Sequence, residues 1–289
     1  MKKGVNIYSL IGSRGIELGI KCLGSLYKYS KDSVRFTIYD DGTMLPNDRD
    51  KLISNLPNTT IVENKDVDEI VKQKLGEFPF CKEYRDKSVF AKKLFDIPLT
   101  AKEKHIVFCD SDIKFFKTFH NLLELRNDDI NCIFMRDYQN AYGIRPWNLI
   151  GKNRVEVASG LNSGLFVFNK EYYDLKFIEN ILSRILPNCT KLFWIEQTCW
   201  AALALNAGGG LWDTNKIKVI RSKACLTKDL IAGHFVTGSR GLIDYVTIDQ
   251  KRYNDTKGIK INHIQKLTMR KFIRTEISRI IRIYKQKSR

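Results

Sequence analysis

Two carboxylates separated by one residue, Asp110 and Asp112, directly follow the apolar segment His105–Cys109. An ionised carboxylate is costly to remove from water unless it is paired with a cation or holds a metal ion. Mg²⁺ and Mn²⁺ take oxygen ligands from one or two carboxylates and from substrate phosphates. Because the chain returns to apolar residues at Ile113, we interpret the pair as a site for a metal–diphosphate at the end of a strand. For so short a pattern, a loop or a helix cap is the alternative.

Polar residues also follow the first two predicted strands. Residues 12–15 form a turn after the first strand, and Asp40 and Asp41 follow the second. Ligands of open α/β sheets bind outside the carboxyl ends of the strands, so these corners could hold a base and a ribose beside the diphosphate. An ordinary turn explains each corner equally well. Three lysines precede the strand 105–109, namely Lys87, Lys92 and Lys93. A lysine that points inward from this region would neutralise a phosphate.

Further candidates lie in the second half of the chain. Asn162 opens an apolar strand, where it could bond to hydroxyls or cap a turn. Glu196 and Gln197 begin an apolar helix and could face a sugar, although the helix dipole alone also favours an acid there. His234 lies in a short strand and is either a third ligand of an oxygen-rich metal site or a structural histidine. Arg240 follows and could hold a phosphate.

The order of helix and strand signals predicts the fold that positions these residues. The two signals alternate through the first half, which favours an α/β fold with a Rossmann-like, mostly parallel central sheet flanked by helices. The predicted strands are residues 5–10, 34–39, 60–62, 105–109, 131–136, 162–168, 217–220 and 232–236. The predicted helices are residues 16–29, 46–56, 88–95, 171–185 and 195–205, the third of which stops before Pro98.

The composition is that of a folded protein with anionic partners. Of the 289 residues, 43% are hydrophobic and 28% are charged, and the formal net charge is +17. Such a charge favours nucleic acid, phosphorylated substrates or an anionic membrane surface without choosing among them. The seven cysteines are scattered, which predicts buried thiols in a reducing compartment. With no signal peptide or membrane span evident, we expect a cytoplasmic protein.

The end of the chain carries close to half of the excess charge. Residues 265–289 contain nine Lys or Arg against one acid, Glu276. A predicted helix begins at Leu267, and its apolar stripe consists of Ile273, Ile277, Ile280, Ile281 and Tyr284. This pattern is typical of a basic amphipathic helix on an anionic membrane. Docking of the helix on the domain and nucleic-acid binding are the alternatives.

Taken together, the motifs resemble those of the metal-dependent nucleotide-sugar glycosyltransferases with the type-A fold, most closely the family-8-like bacterial group. The matching pieces are Asp40-Asp41-Gly42-Thr43, Leu94-Phe95-Asp96-Ile97-Pro98-Leu99, Phe108-Cys109-Asp110-Ser111-Asp112, Leu161-Asn162-Ser163-Gly164-Leu165-Phe166-Val167-Phe168-Asn169, Glu196-Gln197 and Gly233-His234-Phe235. The resemblance implies a catalytic domain over residues 1–250, followed by the basic amphipathic tail over residues 251–289.

The resemblance also implies a metal site and a donor site. In that family a D-x-D motif and a late histidine bind Mn²⁺, which bridges the diphosphate of a nucleotide sugar. Carried over, Asp110, Asp112 and His234 would bind Mn²⁺ or Mg²⁺. The donor contacts that it implies are Asp40 or Asp41 at the nucleoside, Lys92 at the nucleotide sugar and Asn162 at the sugar pocket.

The implied activity is transfer of a sugar from a nucleoside diphosphate sugar, which we expect to be UDP-linked, to a saccharide or lipid-linked acceptor. Charge develops on the leaving diphosphate, and a divalent metal with nearby Lys or Arg stabilises it. An inverting enzyme would use Glu196 as the base on the acceptor hydroxyl, whereas a retaining enzyme would place Gln197 near the anomeric carbon. The basic tail would hold the enzyme at the inner face of the cytoplasmic membrane.

Two other classes of protein remain as alternatives. A haloacid-dehalogenase-like phosphatase also carries D-x-D after a strand, but it has a threonine where this chain has Lys114. A non-enzymatic, basic nucleic-acid-binding protein would fit the net charge. No recognisable nucleic-acid-binding module supports the second alternative, so we expect no nucleic-acid partner.

Overall fold

An eight-stranded sheet lies at the centre of the protein. The structure is a computed structural model that describes residues 4–125, 129–245 and 259–287. Its strands are β1 (Val5–Ile11), β2 (Val34–Asp40), β3 (Thr59–Val62), β4 (His105–Cys109), β5 (Ile113–Phe115), β6 (Cys132–Arg136), β7 (Leu161–Asn169), β8 (Gly210–Trp212), β9 (Ile217–Val219), β10 (Ala232–His234) and β11 (Ile261–His263). Its helices are α1 (Ile16–Tyr29), α2 (Pro46–Asn55), α3 (Asn64–Lys74), α4 (Pro79–Lys87), α5 (Phe90–Thr100), α6 (Leu175–Ile185), α7 (Ile195–Ala207) and α8 (Met269–Lys287).

The strands of the large sheet lie in the order β11-β8-β6-β7-β4-β1-β2-β3. The pairs β1–β2, β1–β4, β2–β3 and β6–β8 are parallel. Strand β7 runs antiparallel to both of its neighbours, and β11 runs antiparallel to β8. The prediction of an α/β fold with a mostly parallel central sheet flanked by helices is confirmed.

The sheet separates two hydrophobic cores. Side chains of a strand alternate between its two faces, and β4 shows this directly. Phe108 packs in the core that contains Trp200 of α7, whereas Val107 and Cys109 pack in the core that contains Leu23 of α1. Because both faces of β4 are covered, its end is buried, and the chain passes directly from the two cores to the carboxylates.

A second, three-stranded sheet places His234 beside the residue that follows Asp112. Its order is β5-β10-β9. In the antiparallel pairing of β10 with β5, His234 lies opposite Ile113. The backbone N–H of Phe235 donates to the carbonyl of Asp112 at 2.9 Å. This pairing places a histidine from late in the chain beside a carboxylate that follows β4.

Helix α5 continues through Pro98, which corrects the prediction that it ends before this residue. A proline inside a helix leaves the carbonyl four residues earlier without its usual N–H donor. Here that carbonyl belongs to Leu94, and it accepts a hydrogen bond from the hydroxyl of Tyr173 at 2.8 Å. A side chain from a distant segment therefore replaces the missing backbone donor.

Other boundaries also differ from the predicted ones. The helices α3 and α4 were not predicted, because few of their residues are buried. The predicted helix 171–185 begins instead at Leu175, where the Asp174 carboxylate accepts from the N–H of Phe177 at 3.1 Å. Helix α7 continues two residues past the predicted end at residue 205, and Gly208 follows it at a φ of +73° that favours glycine.

The segment after residue 250 joins the large sheet. The predicted boundary between residues 250 and 251 lies outside the described residues. Beyond it, β11 pairs with β8, and Leu267 and Phe272 are buried in the same core as Trp200. Within the described residues, no helix is both long and apolar enough to span a membrane.

Candidate metal and substrate site

The structure brings Asp110, Asp112 and His234 together at the end of β4. One possible ligand atom from each of these residues lies within 4.8 Å of the others. The Nε2 atom of His234 lies 3.0 Å from Oδ1 of Asp112 and 3.8 Å from Oδ2 of Asp110. Carboxylate oxygens suit Mg²⁺ and Mn²⁺, and an imidazole nitrogen is compatible with Mn²⁺. The donor set of these three residues therefore fits the expected metal.

A second set of contacts orients the histidine. Nδ1 of His234 lies 3.0 Å from Oδ1 of Asn162, and since that oxygen is an acceptor, Nδ1 donates this hydrogen bond. The amide of Asn162 in turn donates to Asp137 at 3.2 Å. A Cβ added to Gly164 would lie 2.6 Å from the imidazole, so only glycine leaves room for this ring. These contacts leave Nε2 facing the two carboxylates.

Asp112 is held as a carboxylate. It is bonded to Arg240, whose Nη2 donates to Oδ2 at 2.8 Å, and to His234. Burial opposes ionisation of Asp112, but His234 and Arg240 outweigh it and lower its pKa to about 2. Burial would also lower the pKa of His234, yet Asp112 reverses this and raises it. Asp112 is therefore ionised over the whole physiological range of pH.

Lys93 is the buried cation of the site. Its Nζ lies 3.2 Å from Oδ1 of Asp110, 3.6 Å from Oε1 of Glu196 and 4.3 Å from the ring centroid of Phe108. Burial would lower the pKa of Lys93, but Asp110 and Glu196 raise it. For Asp110 itself, burial raises the pKa although Lys93 and His234 oppose this. Lys93 thus balances part of the negative charge that Asp110 and Glu196 bring to this site.

Lys92 is the lysine predicted to face the nucleotide sugar. Its side chain points toward the turn that follows β2, whereas Lys93 points toward Asp110. Nζ of Lys92 donates to the carbonyl of Asp41 and to Oδ1 of Asn64, the latter at 2.7 Å. Burial lowers its pKa. Lys92 therefore fixes the turn that carries Asp41, and it does not contact the acidic cluster.

Glu196 has one oxygen available within the site. Its Oε2 accepts from the hydroxyl of Ser163 at 3.0 Å, whereas its buried Oε1 accepts no hydrogen bond from the described residues. Burial raises the pKa of Glu196 to about 7, despite the opposing effect of Lys93. A carboxyl group with this pKa can both take up and release a proton near neutral pH.

Gln197 uses both ends of its amide for the backbone. Its Oε1 accepts from the N–H of Ser163 at 3.2 Å, and its Nε2 donates to the carbonyl of Ala141 at 3.1 Å. Gln197 therefore joins α7 to β7 and to the loop that follows β6.

Asp40 and Asp41 have different roles in their turn. Oδ1 of Asp40 accepts from the N–H groups of Gly42 and Met44 at 2.7 and 3.0 Å. Asp41 is partly exposed, and a Cβ added to Gly12 would overlap its carboxylate. Oδ1 of Asp41 accepts from the N–H of Thr43 at 2.9 Å, so both carboxylates stabilise the turn, and Asp41 in addition lines a cavity at the edge of the sheet.

Two cavities adjoin each other beside the acidic cluster. The first, of about 310 Å³, is lined by the three possible metal ligands and by Lys93, Asn162 and Glu196. The second, of about 670 Å³, is lined by residues 10–15 and by Asp41 and Ser111. Phe90 and Arg240 line both cavities. The site is therefore one cleft with two parts, and Arg240 lies at their junction.

Two features of the site were not predicted from the sequence: the presence of Asp137 and the inward orientation of Lys93. Asp137 lines the first cavity, and burial raises its pKa. A usable signal existed for Asp137, because it directly follows a predicted strand, as Asp40 and Asp110 do. Strand β6 is parallel to β4, so the three strand ends share one edge of the sheet.

Comparisons with known proteins identify the fold. No protein-family model and no curated protein matches this sequence. Among solved structures, the chain is similar to the galactosyltransferase LgtC in complex with donor and acceptor sugar analogues (TM-score 0.57, 11% identity, 81% of this chain and 87% of that chain). It is also similar to the bifunctional glycosyltransferase WbbM (0.55, 11%, 82% and 46%) and to mouse xyloside xylosyltransferase 1 (0.53, 12%, 81% and 99%). These similarities show that the chain has the type-A glycosyltransferase fold.

Proposed function

We propose that this protein transfers a sugar from a nucleoside diphosphate sugar, UDP-linked, to a saccharide or lipid-linked acceptor. The observation that carries the proposal is the cluster of Asp110, Asp112 and His234, which lines one of two cavities that meet at Arg240. One cavity would accept the nucleoside and the other the transferred sugar with its acceptor. The diphosphate between them would then lie beside the cluster.

The charges around the cluster suit departure of a diphosphate. Asp110, Asp112 and His234 would hold Mn²⁺ or Mg²⁺, which supplies positive charge to the leaving group when bound. Arg240 adds a guanidinium at the junction, where it can bind phosphate oxygens in a bidentate manner. Lys93 stays buried between Asp110 and Glu196 and keeps this part of the site electrostatically balanced.

Glu196 is our candidate for the group that contacts the reacting sugars, since it lines the cavity and one of its oxygens accepts no hydrogen bond from the described residues, with Lys93 Nζ 3.6 Å away. As a general base it would take the proton of the acceptor hydroxyl, and the product would be inverted at the anomeric carbon. With retention, Glu196 would instead accept a hydroxyl of the transferred sugar. The anomeric configuration of the product, measured by NMR, separates these two roles. Gln197 positions β7 in either case.

Ligand-induced stabilisation tests the proposal. A ligand at 100 times its Kd stabilises a folded protein by about 2.7 kcal/mol. We expect UDP with Mn²⁺ to raise the melting temperature, and UDP with EDTA to do so much less. Asp112→Asn should abolish the metal-dependent part, whereas the exposed Asp50→Asn should retain it. If the rise in melting temperature with UDP depended neither on Mn²⁺ nor on Asp112, the proposed site would be refuted.

The fold favours this activity over the alternatives. The phosphatase alternative requires a threonine at position 114. This chain has Lys114 there, and its side chain donates to the carbonyl of Ile243 at 2.8 Å. The main support for nucleic-acid binding was the net charge of the chain. A salt-sensitive gel shift with DNA or RNA would support that alternative.

We further propose that α8 binds an anionic membrane surface, which would place the enzyme at the cytoplasmic face. Leu267 and Phe272 anchor the segment to the domain, while four isoleucines of α8 stay 45–62% exposed: Ile273, Ile277, Ile280 and Ile281. The turn Pro146–Leu149 packs on α8, and Trp147 within it is 58% exposed. An apolar stripe with basic flanks suits a surface of anionic lipids.

A matched pair of charge substitutions tests the membrane proposal. Ile277→Glu and Ser278→Glu each add one acid to α8, but only the first lies on the apolar stripe. We expect Ile277→Glu to reduce co-sedimentation with phosphatidylglycerol vesicles much more than Ser278→Glu does. Equal losses, or binding retained by a protein that lacks α8, would contradict insertion of the stripe.

A further inference from the structure

A second group of cations lies apart from the candidate metal ligands, where α8 meets the loop before α7. Arg145, Lys191 and Arg279 line a recess of about 30 Å³, together with Trp194. Trp194 also lines the 310 Å³ cavity that contains Glu196. The recess and the sugar cavity therefore share a wall.

The cations of the recess are only partly neutralised. Glu276 pairs with Arg279 at 2.6 Å, but no carboxylate of the described residues lies within 4 Å of Arg145 or Lys191. Three positive charges thus face one negative charge. Burial and the nearby Arg279 lower the pKa of Lys191, although Glu276 opposes this.

An aromatic ring holds two of these cations in place. Nζ of Lys191 lies 3.9 Å from the ring centroid of Trp194, and the guanidinium carbon of Arg279 lies 5.1 Å from it. Nη2 of Arg145 donates to the hydroxyl of Thr190 at 3.1 Å, on the same recess. Cation–π contacts fix the positions of charges without neutralising them. The recess is therefore preorganised for an anion.

The size and the chemistry of the recess suit one phosphate group. A water molecule needs about 10–15 Å³ of such space, so the recess of about 30 Å³ has room for a group the size of about two to three waters. Guanidinium groups bind phosphate through paired hydrogen bonds, and an ammonium adds a compact charge. A neutral sugar would not need three cations, and a whole nucleotide would not fit.

We propose that this recess binds a phosphate group of the acceptor, so that the acceptor is a phosphorylated saccharide. The proposal rests on the proposed function, which assigns the adjoining cavity to the transferred sugar and its acceptor. Arg279 belongs to α8, the helix that exposes the isoleucine stripe. The phosphate could belong to a diphosphate link between saccharide and lipid, or to a phosphate substituent on a soluble saccharide.

Binding of inorganic phosphate in EDTA tests the recess without the metal site. We expect phosphate to change the intrinsic fluorescence of the protein, and Trp194→Phe to remove most of that change. The double variant Arg145→Gln/Lys191→Gln should bind phosphate at least about tenfold more weakly, because it loses charge-assisted hydrogen bonds. A charge-matched control, Lys82→Gln/Lys152→Gln, should bind as the unmodified protein does. Equal affinity in both double variants would overturn the proposal.

The outcome is separate from that of the metal test. Asp112→Asn should lose the Mn²⁺-dependent effect of UDP and retain phosphate binding at the recess. Neutral phosphatidylcholine vesicles with polyprenyl diphosphate, compared with a soluble sugar phosphate, identify the source of the phosphate. The proposal is supported if the protein binds one of these two probes more tightly than the other and if Arg145→Gln/Lys191→Gln loses this preference. Binding of neither probe, or binding unaffected by the two substitutions, would overturn it.

Discussion

Asn162 accepts a hydrogen bond from Nδ1 of His234, with 3.0 Å between the two atoms. The contact joins the first residues of β7 to the end of β10, two strands that belong to different sheets. It fixes the orientation of the imidazole, and so it leaves Nε2 facing the carboxylates of Asp110 and Asp112. Partners of this kind orient metal-binding histidines in many proteins.

We therefore expect Asn162→Ala to weaken binding of Mn²⁺ by about 10- to 100-fold, the usual effect of removing such a partner. Isothermal titration with Mn²⁺ measures the affinity. Asn169→Ala is the matched control, because Asn169 lies at the other end of β7 and is also buried. Should both variants lose the same affinity, the effect would come from the strand and not from the histidine.

Lys93→Met should destabilise the metal-free protein strongly at pH 8. The substitution leaves Asp110 and Glu196 without their buried cation, and breaking a buried pair typically costs about 3–5 kcal/mol. The pKa values of both carboxyl groups should rise further, so the loss of stability should shrink as the pH falls and the groups become protonated. Urea unfolding in EDTA at pH 5 and pH 8 measures this.

The neighbouring Lys92→Met is the control for that experiment. Lys92 contacts the carbonyl of Asp41 and the amide of Asn64, neither of which is ionised. Its removal should cost less and should show little dependence on pH. In Lys93→Met, Mn²⁺ should restore stability, because it returns positive charge to Asp110. A loss that is equal in both variants and insensitive to Mn²⁺ would contradict the role given to Lys93.

Glu196 gives the protein a specific dependence of stability on pH. Its folded pKa of about 7 lies above the ordinary value of 4.5, so the fold disfavours the ionised form. The resulting penalty is absent below pH 4.5, grows as the pH rises, and is complete above pH 7. Relative to the unmodified protein in EDTA, Glu196→Gln should gain on the order of 3 kcal/mol of stability between pH 4.5 and pH 8. The exposed Glu171→Gln should show no such gain, and a flat difference for Glu196→Gln would contradict the raised pKa.

The sequence was sufficient for six of the eight strands of the large sheet and for the carboxylates at its edge, but it did not predict the three-residue strands β8 and β11. Buried strands are short apolar runs, and polar residues directly after them lie at the same edge whenever the strands are parallel. That logic located Asp41 and Asp110, and it applies equally to Asp137. It depends only on the order of residues along the chain.

Directions of side chains could not be predicted in the same way. Neighbouring residues on a helix point about 100° apart, so the choice between Lys92 and Lys93 depends on how α5 is rotated. That rotation is set by packing across the whole length of the helix, including the part beyond Pro98. The separate roles of Asp40 and Asp41 likewise follow from the turn, which the local sequence does not fix.

The contact of Tyr173 with α5 can be tested by a double-mutant cycle. Tyr173→Phe removes the hydroxyl that donates to the Leu94 carbonyl, where Pro98 has no N–H to donate, so we expect a loss of about 1–3 kcal/mol in the free energy of unfolding. Tyr172→Phe, at an exposed neighbour, should change it by less than about 0.5 kcal/mol. Pro98→Ala restores a backbone N–H four residues after Leu94. In the Tyr173→Phe background it should therefore recover part of the loss, seen as a coupling of about 1 kcal/mol in urea unfolding. If the two substitutions simply add, the tyrosine does not replace the missing helical donor.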